Sequence, residues 1–121
     1  MTGSFSSEGD RRFGPDVERY LSEVRTKPVL SSLEEADLAE QARAGDEEAL
    51  LQWIDSYLFM TASIALRLCP PAMAPLEAIQ EANAVLTRLL SDGGARSPIA
   101  ELGRSIEEHF DRFHRRPPPR S

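Results

Sequence analysis

The chain has 121 residues, which suits one compact domain with loose ends. Its 20 acidic against 14 basic side chains leave a net charge of −6. That balance disfavours independent DNA binding, because phosphate is held chiefly by Lys and Arg, and it points to protein partners instead. One cysteine, Cys69, excludes an internal disulfide. Met1 to Asp10 lacks the basic start and apolar stretch of a secretory signal, and no run approaches the ~20 apolar residues of a bilayer span. A cytoplasmic location is expected.

Residues 1–14, rich in Ser and Gly, read as a disordered leader; residues 15–113 read as one helical domain. Residues 114–121, ending Arg-Arg-Pro-Pro-Pro-Arg-Ser, read as an extended basic tail. The first helix is predicted from an Asp16 N-cap to about Arg25, with Val17, Tyr20, Leu21 and Val24 inward. Lys27-Pro28 breaks it. Ser31–Glu34 and Ser32–Glu35 form two overlapping capping boxes, opening a second helix with Leu33, Ala36, Ala39 and Ala42 inward and a stop at Gly45. Asp46 caps the third and longest helix, whose stripe is Leu50, Trp53, Ile54, Tyr57, Leu58, Ala62, Ile64, Ala65 and Leu68, and Pro70-Pro71 ends it. A fourth begins near Pro75, turns Leu76, Ile79, Leu86 and Leu89 or Leu90 inward, and stops at Asp92-Gly93-Gly94. Ser97-Pro98 starts a fifth, with Ile99, Leu102, Ile106, Phe110 and Phe113 inward. About five helices with short connections make an all-α bundle.

The chemistry of a cofactor or metal site is missing from this pattern: there is no glycine-rich phosphate loop and no Cys or His cluster. His109 and His114 lack the i, i+4 spacing of helix-borne ligands and read as solvated polar residues beside Glu107, Glu108 and Asp111. Cys69 reads as a small buried hydrophobe. The carboxylates are spread as a solvated surface would have them, so no enzymatic activity is expected. On the fourth helix, Glu77, Gln80, Glu81, Asn83 and Arg88 face outward, either as plain solvated exterior or as a docking face whose amides and carboxylates meet Arg or Lys of a partner.

Ile79-Gln80-Glu81-Ala82-Asn83 resembles the Ile-Gln-Glu-Gly-Asn signature of the clamp-binding helix in sigma-70 family factors. Leu76-Glu77 resembles the Leu-Asp before it, and Leu86 with Arg88 fits the positions after it. Asp16 to Arg25 is similar to the family's Asp-Pro-Val-Arg-x-Tyr-Leu-x-Glu-Ile, in a helix that contacts the non-template strand. Pro28-Val29-Leu30-Ser31, Ala44-Gly45-Asp46-Glu47-Glu48-Ala49 and Ser63-Ile64-Ala65 resemble family segments in the same order, so the similarity runs from Asp16 to Asp92. The resemblance implies a helical domain that docks on core RNA polymerase by gripping a coiled coil on the largest subunit. Carried over by position, Glu77, Gln80, Glu81 and Asn83 are the implied contacts, flanked by Thr87 and Arg88.

The pattern also departs from the family. Where a promoter-melting segment resembling Phe-Ser-Thr-Tyr-Ala-Thr-Trp-Trp-Ile-Arg-Gln would come next, Ser97 to Glu107 contains no aromatic residue and one basic residue, Arg104. Base stacking contributes ~1–3 kcal/mol per base, so grip on an opened strand is largely lost. Glu18 and Ser22 stand where the family has Arg. The chain also stops before the family's promoter-reading helices, so a complete initiation factor is not expected. The leading expectation is a sigma-like regulator of transcription initiation that occupies the polymerase clamp. The alternatives are a module binding an anti-sigma or other regulatory protein through the long apolar helix, weak residual promoter-DNA binding within a polymerase complex, and a remnant without function.

Overall fold

The boundaries of the helices are set by local chemistry. The computed structural model describes residues 13–92 and 98–115. They form α1 (Pro15–Arg25), α2 (Ser32–Arg43), α3 (Glu47–Leu68), α4 (Pro75–Ser91) and α5 (Pro98–Arg115), with no strand among the described residues. The fold is all-α, as the periodicity implies. The expected leader up to residue 12, the Gly93-Gly94 stop, the Ser97 cap, the side chain of Ile99 and the tail from residue 116 lie outside the described residues.

The N-cap of α1 is Gly14 rather than Asp16. Gly14 has φ of +90°, a region that residues with a Cβ rarely enter, and Pro15 then supplies the fixed φ of the first helical position. Asp16 sits in the first turn, where a carboxylate meets the positive end of the helix dipole. At α2, one of the two expected capping boxes forms: the Ser31 N–H donates to Glu34 Oε1 at 2.9 Å and the Glu34 N–H to Ser31 Oγ at 3.1 Å. Ser32 becomes the first helical residue, leaving Glu35 free for another task.

Between α2 and α3 the chain turns through Gly45, with φ of +104°. The Gly45 N–H reaches the Ala42 carbonyl and the Asp46 N–H the Gln41 carbonyl, both at 3.0 Å, which is the Schellman closure of a helix end. Asp46 Oδ1 in turn accepts the Glu48 and Ala49 N–H groups at 3.0 and 3.1 Å and so caps α3. Closing one helix and opening the next with a single residue leaves this corner no slack.

The inward face of α2 differs from the expected one. Leu33 is 82% exposed and Ala36 is exposed, while Leu38, Ala39 and Ala42 pack inward. A strict three-residue spacing loses about 60° per step on a helix of 3.6 residues per turn, so Leu33 and Ala42 lie on opposite sides. The rest of the expected stripes pack largely as read. Trp53, Tyr57, Ala62, Ile64 and Ala65 of α3, Ile79, Leu86 and Leu90 of α4, and Leu102, Ile106 and Phe110 of α5 are buried. Phe113 is instead 40% exposed at the rim, its ring set edge-on to Phe110.

Contacts between α3 and α4 are the most extensive in the fold; α2 lies on α3, α5 packs on both central helices, and α1 crosses them more lightly. Ala62, Ala65, Ala78 and Ala82 on the two central helices are fully buried, so small side chains line the seam. Although α3, with 22 residues, has the length and hydropathy of a bilayer span, contrary to the sequence expectation, its apolar stripe is spent on this core.

Two substitutions test this account of stability. Gly45→Ala will cost about 1–2 kcal/mol in chemical denaturation, although a Cβ there meets no atom within 4 Å, because the penalty lies in the backbone conformation. Phe110→Ala will cost about 3–5 kcal/mol by the same measurement, since the ring is 2% exposed at the junction of α5 with the core.

Candidate functional site

With Ala78, Ile79, Ala82, Val85, Leu86 and Leu90 committed to the core, the opposite side of α4 is fixed as its outer face. Glu77, Gln80, Glu81, Thr87 and Arg88 all fall within a band about 120° wide. Glu77, Gln80, Thr87 and Arg88 are exposed and Glu81 is half-exposed, so these implied contact residues share one surface. Two carboxylates, an amide, a hydroxyl and a guanidinium alternate there, a set able to exchange charge-assisted hydrogen bonds with a basic partner.

Asn83 does not share that band. It lies about 120° round from Glu77, half-buried, and its Nδ2 donates to the Tyr20 hydroxyl at 3.0 Å, tying α4 to α1. Its Oδ1 is buried with no hydrogen-bond partner among the described residues. Glu81 is engaged from the other side, where Oε1 lies 2.8 Å from His109 Nε2 of α5. His109 is therefore not the solvated residue that the sequence suggests. Beyond Glu81 the outer face of α4 descends into a cleft of about 250 Å³ toward α5, whose walls include Arg88, Ser105 and Arg112.

A second polar cluster holds α2 against α3. Glu35 Oε2 accepts both the Trp53 indole N–H at 3.0 Å and the Tyr57 hydroxyl at 2.6 Å. Burial first, and then the adjacent Glu35 carboxylate, pushes the Tyr57 ionisation far above the ordinary phenol range. The guanidinium of Arg43 covers the Trp53 ring at 5.8 Å. Cys69 is half-buried between α3 and α4, its thiol within reach of the Pro70 and Met73 carbonyls, and burial followed by the Glu77 carboxylate pushes the thiol up. Along α3, Leu51, Phe59 and Met60 are exposed, with the Arg25 guanidinium 5.1 Å above the Phe59 ring.

The pairings of Glu35, Asn83 and Glu81 span 18 to 63 residues in sequence, so no local window reveals them. A polar residue at a position that the helical period assigns to the seam, as for Glu35 and His109, is the available signal.

Comparison with known proteins bears on this arrangement. The model of sigma-70 factor region 1.2 matches residues 17–48, which covers most of α1, all of α2 and the start of α3. Over 67 residues the chain is 39% identical to the RNA polymerase sigma factor SigA of a Bacillus species, and equally so to the RNA polymerase sigma factor SigA of Clostridium acetobutylicum. Over these stretches the chain is similar to sigma-70 family factors. The likeness to each sigma factor covers 55% of this chain and 18% of the relative's length. No solved structure matches it significantly. The region matched by the family model carries the Schellman-closed corner and Glu35, whose partners Trp53 and Tyr57 lie beyond it, and its helix α1 receives the Asn83 amide.

The Glu35 cluster sets a pH outcome. Because the folded state raises the Tyr57 ionisation, its contribution to stability is complete below the ordinary phenol value of 10.0 and is lost as pH climbs beyond it. Absorbance titration of a Tyr20→Phe variant will show the remaining phenol ionising well above 10.0, and adding Glu35→Ala will bring it down. Glu35→Ala alone will also cost about 1–3 kcal/mol, since the nearly buried Trp53 N–H loses its acceptor.

Proposed function

We propose that this chain is a sigma-like transcription regulator that docks on core RNA polymerase through the outer face of α4. The observation carrying the reading is that Glu77, Gln80, Glu81, Thr87 and Arg88 form one continuous outward band on a helix whose other side is locked in the core. These are positions at which the chain resembles the family's clamp-binding signature. The partial likeness to sigma factors supplies the second support, and the two SigA relatives are named as RNA polymerase sigma factors. The partner surface in this reading is the clamp coiled coil of the largest subunit, presenting basic side chains to Glu77 and Glu81. Asn83 serves inside the protein, fixing α1 to α4, and contributes to docking through that tie.

Promoter melting is not part of the proposal. The described portion of α5 up to Glu107 has no aromatic side chain, and Leu102 and Ile106 are spent on the core. Bases drawn from a duplex need ring faces on which to stack. The net charge of −6 works in the same direction. The regulator in this reading meets the polymerase as a protein surface and leaves DNA contacts to other factors.

A second reading rests on apolar side chains exposed along α3, Leu51, Phe59 and Met60, which offer area to an anti-sigma or other regulatory protein. A pull-down separates the two. The native chain will retain purified core RNA polymerase, and Gln80→Ala/Glu81→Ala will lose it, while Phe59→Ala/Met60→Ala will behave as native. Retention unaffected by the α4 double variant, or absent from the folded native chain, would refute docking through α4.

A further inference from the structure

Resting on the docking reading, we infer that His109 is a positioning residue that holds Glu81 ready for the partner. Glutamate on a helix surface samples many rotamers, and binding must freeze one of them. In this chain the freezing is done in advance from α5. The His109 Nε2 to Glu81 Oε1 distance is 2.8 Å, and a carboxylate accepts, so Nε2 carries the proton whether the ring is neutral or charged.

His109 is itself held in place. Its side chain is 17% exposed, and its ring packs at 73° to Phe113, centroids 5.7 Å apart, and at 47° to the core residue Phe110. A ring in contact with two others, and largely buried, is restrained in its rotamer. Glu81 remains 37% exposed, with Oε1 engaged and Oε2 without a hydrogen bond to the described residues. The carboxylate therefore keeps an acceptor for a partner's Arg or Lys while its rotamer is fixed. The bond crosses from α5 to α4, so the segment that departs most from the family pattern here supports the helix that resembles it.

The test is a binding titration of the full chain against purified core RNA polymerase, with folding of each variant checked by circular dichroism. His109→Ala will weaken binding by about two- to tenfold, the range set by re-ordering one long side chain. His109→Gln, whose amide nitrogen can reach the same carboxylate, will restore most of it. On a Glu81→Ala background, His109→Ala will add nothing. Equal affinity of native and His109→Ala chains would overturn the inference and leave α4 docking intact. So would an equal loss on the Glu81→Ala background, which would place the effect elsewhere, or tighter binding by His109→Ala, which would make the bond a competitor of docking. Failure of the native chain to bind core would remove the docking reading and this inference with it.

Discussion

The close seam between α3 and α4 is the constraint on which the rest of the molecule depends. Ala62, Ala65, Ala78 and Ala82 are all fully buried there, and Ile79, Leu86 and Leu90 extend the same apolar side of α4. Helices meeting over small side chains have little freedom to rotate about their axes without opening voids or clashes. With α4 fixed in rotation, Glu77, Gln80 and Arg88 have no course but outward. The polar face belongs as much to the alanines behind it as to its own side chains.

Around that seam a few polar ties join residues well separated in sequence. Glu35 binds α2 to α3 through two aromatic donors, Asn83 binds α4 to α1, and Glu81 meets α5 through His109. Hydrogen bonds of this kind add modest net stability but are costly to leave half-made, so they specify which face of each helix turns inward. The Asn83 Oδ1 and Thr61 Oγ1 atoms, buried without a partner among the described residues, show the limit of that economy. Thr61 is fully buried on α3, and nothing nearby accounts for its hydroxyl.

Much of the fold was legible in the sequence, because caps and stripes are local. Ser31, Gly45 and Asp46 act where the spacing puts them, and the α3 and α4 stripes pack nearly as read. Leu33 misled because a three-residue spacing drifts around a helix, and Phe113 because a stripe extrapolated to a helix end runs past the core. The outward placement of Glu77, Gln80 and Arg88 was equally legible from period alone. Asn83 and His109 were not, since their partners are 63 and 28 residues away. Polarity marked both as surface residues, and tertiary contacts drew both into seams.

In the proposed docking, α4 meets the polymerase with the face carrying Gln80 and Glu81. Photo-crosslinking tests it most directly, with a photoreactive amino acid placed at Ala84, which is exposed within that band, or at Leu51, which is 60% exposed on α3. Mixed with core RNA polymerase, the Ala84 probe is expected to attach to the largest subunit and the Leu51 probe to leave it unmarked. Attachment from Leu51 alone would contradict the account and transfer the docking surface to α3.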